Sequence, residues 1–279
     1  MTGPGGTTGP SRMTGPGGTT GPGGTNGAVM PNVRLLERVE DGVGWPVLVW
    51  EAGPGWRMIS SGVVGGGIGE RSWWLNAGVP RDYARRDVQG HLTGIAQQLG
   101  LGDPARWAAF GVGMLTAADV RSRTRADDGG VHAVATVGLG APVQAAAAPE
   151  RVAGEAAVVG TINILAVVPA PLTDAALVNA VLTVTEAKTQ ALVEHGVPGT
   201  GTSSDAVCIA CPVPDGRVDG VAPAAEPFGG PRSTWGARLA RAVHAAVGEG
   251  TARWLAHHPD GDQHRRWSPT SSCPHHLPR

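Results

Sequence analysis

The chain has 279 residues with 22 basic and 23 acidic side chains, a formal net charge of −1, and 44 Gly and 23 Pro. The near-neutral balance argues against a general nucleic-acid or membrane-surface binder, which needs a basic excess. No apolar run approaches the length of a membrane span, and the Gly/Pro/Thr start has no apolar core of a secretory signal. Three Cys cannot build a disulfide framework, so the expected compartment is the reducing cytoplasm.

Residues 1–29 contain a direct repeat, MTGPGGTTGP at positions 1–10 and again at 13–22, and offer no large apolar side chain to bury. They read as a disordered tail. Residues 257–279 hold five of the nine His without metal-ligand spacing and read as a second disordered tail. Between them, 30–256 is the size of one domain with one core.

Short extended runs come first, at 32–39, 46–50 and 56–60, joined through Asp-Gly and Gly-Pro-Gly turn signals. Residues 61–69 form a glycine-rich turn that lacks a dinucleotide fingerprint. Helical periodicity over 85–99 stops at Gly100 and Gly102. Residues 111–115 and 131–137 read as a strand pair around a charged loop, 121–130. Trp73 and Trp74 read as core or lid packing, with stacking on a flat ligand as the alternative. Residues 161–168 (TINILAVV) are a strongly apolar strand, followed by a long helix over 173–195 with Thr173 as cap and Gly196 as stop. A glycine/hydroxyl loop (199–205), a strand (206–211) and a helix (235–247) complete the domain. The pattern is α+β, with mixed β-sheets covered by helices.

Of the 22 basic residues all are Arg except Lys188, in a chain whose Ala, Gly, Pro and Arg content fits a GC-rich coding bias. A lysine retained under such bias suggests a need for an amine rather than a guanidinium. On a helical wheel Lys188 falls about 20° from Leu177, inside the apolar stripe formed with Val181, Val184, Ala191 and Leu192. A buried ammonium costs several kcal/mol unless it is paired or gives up its proton. It is therefore either half of an ion pair, with Asp119 or Asp205 as partner, or a site residue that polarises a carbonyl or acts as a base. Glu186 lies about 160° round the helix from Lys188, on a polar side shared with Asn179, Thr183, Gln190 and Glu194.

The loop Gly199-Thr200-Gly201-Thr202-Ser203-Ser204-Asp205 can converge backbone N–H groups on an oxyanion and supplies hydroxyls and a carboxylate. An ordinary turn is the competing reading. A phosphate loop is excluded, because no Gly-Lys-Ser/Thr follows and the next element is a strand. Cys208 and Cys211 sit three apart on a predicted strand, hence on opposite faces, and read as buried thiols.

The ordered set of motifs is familiar. It runs Leu75-Asn76, Val79-Pro80 and Tyr83; Gly113-Met114-Leu115-Thr116-Ala117-Ala118-Asp119; Thr136-Val137-Gly138-Leu139; and Gly160-Thr161-Ile162-Asn163-Ile164. It continues through Thr185-Glu186-Ala187-Lys188-Thr189, the 199–206 loop, and Gly230-Pro231 before Trp235-Gly236. Together these resemble the adenosylcobinamide amidohydrolase family (CbiZ), over roughly residues 33–250. The resemblance implies hydrolysis of the amide joining aminopropanol to a corrin-ring propionate, a step in cobalamin salvage. Two departures from the family pattern stand out: no polar residue precedes the Gly-Gly of 62–69, and Ser203-Ser204 stands where Gly-Thr is expected.

A fainter likeness of layout to the D-aminopeptidase/ornithine acetyltransferase type favours an α-β-β-α sandwich-like single domain. The expected catalytic residues are Lys188, Thr202, Ser203, Asp205 and Glu186. Those expected at the substrate are Asn163, Thr161, Gly199, Gly201, Asn76 and Asp119. No metal and no cofactor is expected, the corrinoid being the substrate. The expected partner is that small molecule, with no nucleic acid and no membrane, and self-association into a homo-oligomer is left open. The alternatives are a non-catalytic corrinoid-binding module, or an amidohydrolase or acyltransferase acting on another amide.

Overall fold

The first turn shows how local chemistry sets the layout. In the computed structural model, Asp41 and Gly42 both take positive φ, 52° and 75°. That is the geometry of a two-residue hairpin turn matched to the twist of its strands. It joins β1 (Arg34–Glu40) to β2 (Val43–Glu51) in antiparallel register. The structure describes Met1, Gly3 and residues 31–101, 111–147, 160–214 and 224–258. Apart from Met1 and Gly3, the repeat in 1–29 lies outside the described residues, as do the histidines beyond 258 and Gly102.

Two further strands, β3 (Trp56–Ser60) and β4 (Gly67–Glu70), precede β5 (Trp73–Gly78). Helix α1 (Val88–Gln98), capped by the Asp87 carboxylate on the Gly90 N–H, crosses to β6 (Gly111–Thr116), parallel to β5. Then come β7 (Thr124–Asp128), β8 (Val131–Gly138), β9 (Pro142–Val143) and β10 (Thr161–Val167). Helix α2 (Asp174–Glu194) leads to β11 (Gly201–Thr202) and β12 (Ala206–Pro212), and α3 (Thr234–His257) closes the domain. A four-stranded sheet has the order β1-β2-β5-β6, and a six-stranded sheet the order β4-β3-β12-β10-β8-β7.

Three apolar layers follow from strand alternation. Trp50, Trp74, Met114, Val134, Leu165 and Cys208 meet between the sheets. Val49, Trp73, Leu75, Leu92 and Ile95 join the four-stranded sheet to α1. Ala133, Ile162, Ile164, Cys211, Leu177, Val184 and Val243 join the six-stranded sheet to α2 and α3. The result is an α-β-β-α sandwich, the expected fold class. Cys208 and Cys211 are buried on opposite faces of β12, as their spacing predicts.

Some expectations are corrected. Residues 111–115 and 131–137 are strands but do not pair, since β6 and β8 belong to different sheets. The charged stretch between them is not one loop: it holds a short 3-10 turn (Val120–Ser122) and β7, which pairs with β8. Thr124 is buried there and donates to Ala246 O at 2.6 Å, so tertiary contact overrides the polar composition. β5 is an additional strand, buried at every position, with no polar/apolar alternation to announce it. The last helix runs ten residues past 247, through Gly248 and Gly250. A Cβ at Gly250 would lie 2.6 Å from Val137 Cγ2, so this glycine permits close helix–sheet approach. In the turn at 61–69, Val64 pairs with Gly113, tying the β3–β4 connection to β6.

Candidate active site

Thr173 caps α2 through the Ala176 N–H, and Gly196 ends it with φ +73°. The helix therefore lies in the register that the periodicity predicts, and Lys188 turns inward at 8% exposure. Its Nζ meets Asp205 Oδ2 at 2.5 Å, with side-chain exposures of 10% and 13%. Asp205 rather than Asp119 is the partner. Asp119 instead accepts from Arg121 N (3.0 Å) and Ser122 Oγ (3.1 Å), holding its own turn.

Asp205 stands at the mouth of β12. One carboxylate oxygen accepts from Ile162 N (2.9 Å) and from Thr202 Oγ1 (2.5 Å); the other accepts from Thr202 N (3.1 Å) and the lysine. The carboxylate thus binds the 199–205 loop to β10 and to α2 at once. Gly201 is required by this closeness: a Cβ there would fall 2.4 Å from both Asp205 Oδ2 and Lys188 Nζ. Gly199 packs against β9, where a Cβ would lie 2.8 Å from Pro142 Cβ. Thr189, next to the lysine, donates to Thr200 O at 3.1 Å and steadies the loop from the helix side.

Thr161 and Ser204 share a hydrogen bond of 2.8 Å, and Ser204 donates to Gly160 O at 3.1 Å. Ser203 is exposed at the tip of the turn, and neither its amide nor that of Ser204 bonds to a described residue. Glu186 is exposed on the opposite side of α2 and takes no part. Thr183, expected beside it on the polar side, is buried under the 229–230 segment and donates to Gly229 O.

Asn163 and Asn76 belong to a different layer. They lie between the two sheets, where Asn163 Nδ2 donates to Asn76 Oδ1 (2.9 Å) and Leu115 O (2.8 Å). Asn76 Nδ2 in turn donates to Thr136 Oγ1 (3.0 Å). Asn163 is 1% exposed and its Oδ1 has no partner among the described residues. The structure thus unites Lys188, Gly201, Thr202 and Asp205, sets Thr161 beside them through Ser204, and separates Asn76–Asn163, Asp119 and Glu186. Ser204 and Thr189 stand within the family motifs with no expected role of their own; the structure gives each one, on Thr161 and on Thr200 O.

Burial pushes the Cys211 thiol up to about 11 and raises Cys208 further, which makes both poor nucleophiles and poor metal ligands. Among the described residues no group of three or more His, Cys, Asp or Glu is gathered to hold a metal. No helix among them is long and apolar enough to cross a membrane.

The model of one family, adenosylcobinamide amidohydrolase (CbiZ), matches residues 33–259 of this sequence. The chain belongs to that family. The protein is accordingly an amidohydrolase, and the match spans every element described above. No curated protein matches the amidohydrolase significantly. Among solved structures, the PH0078 protein from Pyrococcus horikoshii OT3 aligns with 86% of this amidohydrolase and 88% of its own chain. The identity is 13% and the TM-score 0.44.

Proposed function

We propose that the protein hydrolyses the amide joining aminopropanol to a corrin-ring propionate of adenosylcobinamide. The products are adenosylcobyric acid and 1-amino-2-propanol, a step in corrinoid salvage. The observation that carries this reading is the buried Lys188–Asp205 pair closed by a loop of hydroxyls and glycines.

Amide hydrolysis needs an attacking oxygen, a proton acceptor, a stabilised oxyanion and a proton for the leaving amine. Thr202 is the best-placed hydroxyl, since its Oγ1 already donates to Asp205, whereas Ser203 makes no such bond. Thr202 Oγ1, or a water that it anchors, attacks the carbonyl carbon while Asp205 Oδ1 accepts the proton. Lys188 uses one N–H on Asp205 and directs its remaining donors, with the free amides of Ser203 and Ser204, at the carbonyl oxygen. The C–N bond then breaks, and the proton held by Asp205 passes to the departing nitrogen. If Thr202 is the nucleophile, a water repeats the sequence on the resulting ester.

Incubation of the full chain with adenosylcobinamide, followed by mass analysis, tests the reading. Release of aminopropanol with matching adenosylcobyric acid supports it. Corrinoid binding without release, or cleavage confined to a different amide, overturns it.

A further inference from the structure

A second constellation lies on the far side of the four-stranded sheet from the inter-sheet core, between the end of β1 and the length of α1. There, a cleft of about 630 Å³ is lined by Arg38, Glu40, Arg85, Arg86, His91 and Gly94, among others. That volume is in the range of small-molecule sites, roughly 300–1,000 Å³.

Its wall is built of buried charge. Arg38 is 3% exposed, donates to Gly78 O at 2.9 Å and pairs with Glu40, and its Nε is buried with no acceptor among the described residues. Glu40 is spent inside the wall, accepting from Arg38, Arg85 and His91. Burial alone would raise the Glu40 carboxyl, but the hydrogen bonds from Arg38 and His91 hold it below the usual carboxylate range. His91 is fixed from behind by Tyr83 Oη at 2.8 Å and a stacked tyrosine ring. The other carboxylate, Asp87, is turned onto its own helix at Gly90 N (2.7 Å).

Glu40 is thereby spent and one oxygen of Asp87 is engaged, while the three guanidiniums offer donors only and outnumber the two carboxylates. Arg86 lines the same cleft and makes no bond to any described residue, whereas the N-terminal turn of α1 is already capped by Asp87. Arg38, a cleft-lining residue whose buried Nε has no acceptor among the described residues, is the observation that points to a ligand. Gly94 sits in mid-helix, where glycine costs up to about 1 kcal/mol relative to alanine. Yet a Cβ there would meet nothing within 4 Å, so packing does not demand the glycine. Its effect is to leave bare helix backbone facing the cleft, beside Ile95.

We propose that this cleft binds a small organic anion. Arg86 and the donors of Arg85 not spent on Glu40 and Asp41 hold its phosphate or carboxylate, Arg38 and Glu40 stiffen the wall beneath, and the apolar body lies along the Gly94 backbone. The inference is independent of the reaction assigned to Lys188 and Asp205.

Calorimetric titration of the full chain with phenyl phosphate, phenylacetate and neutral benzyl alcohol tests it. At least one anion saturates a single site, and its relative affinity against the other identifies the head group. Benzyl alcohol binds at least about tenfold more weakly, and Arg86→Gln weakens the anion by about tenfold. Gly94→Leu narrows the cleft and weakens binding by about tenfold without lowering the melting temperature, which separates occlusion from unfolding. Lys188→Met binds the anion as the parent does. No saturation by either anion up to about 10 mM overturns the proposal. So does equal binding of benzyl alcohol, or a Gly94→Leu variant that binds as tightly as the parent.

Discussion

Replacing Asp205 by Asn puts the central pair to a quantitative test. Four donors converge on that carboxylate: Ile162 N, Thr202 N, Thr202 Oγ1 and Lys188 Nζ. An amide keeps one oxygen, so two of them meet an NH2 group instead. With side-chain exposures of 10% and 13%, little water reaches the pair, and the small energies of surface ion pairs do not apply. Removing one member of a buried pair costs about 3–5 kcal/mol, because the other is left unpaired. Against a domain stability of about 5–15 kcal/mol the variant still folds. Its melting temperature falls by roughly 6–20 °C, at about 2–4 °C per kcal/mol for a domain of this size.

Urea unfolding of Asp205→Asn, Lys188→Met and the double variant closes a thermodynamic cycle. Lys188→Met leaves the carboxylate three donors and costs less, about 1–3 kcal/mol. The double variant is then more stable than the sum of the single losses predicts, by about 1.5 kcal/mol or more. A loss below about 1 kcal/mol for Asp205→Asn, with strict additivity, would refute the claim that the pair is desolvated and coupled.

Other outcomes follow from the same geometry. Lys188→Arg keeps the charge but brings a planar fork into a space where even a Cβ on Gly201 would touch Nζ; kcat for adenosylcobinamide falls by about 10²–10³ or more, read from aminopropanol release. Cys208 and Cys211, measured in a Cys273→Ser background, resist a thiol reagent at pH 8 in the native protein and both react in denaturant. Because folding raises both thiols, the unfolded chain releases protons first, so their contribution to stability is intact below about pH 8.5 and declines from there toward about 11 for Cys211. Glu40 shifts the other way: its folded carboxyl is lowered, so its contribution is present above about pH 4.3 and is lost as pH falls through the folded value. Glu40→Gln is therefore less stable than the parent at pH 7, and the gap narrows in acid melts below about pH 4.

The parts that were legible in the sequence rest on local rules. Thr173, Gly196 and a 3.6-residue apolar period fix α2, and that alone aims Lys188 inward. The sequence left Asp119 and Asp205 both open as its partner, and the choice fell to the chain path that brings the 199–205 loop back against α2. β5 escaped because a strand covered on both faces loses its alternation. The partners of Asn163 escaped for a different reason. Asn76 and Leu115 lie 87 and 48 residues away in sequence, and only the stacking of two sheets makes them neighbours. Thr183 went astray because a wheel of α2 says nothing of the 229–230 segment laid over it.

That carboxamide contact has a mechanical consequence. Apolar packing has no direction, so two greasy sheets pressed together tolerate small slides past one another. Asn163, bonded both to a side chain and to a main-chain carbonyl of the opposing sheet, works as a dowel: its bonds close at one offset and break at any other. The strand end that carries Thr161 and abuts Asp205 is thereby indexed against the opposite layer.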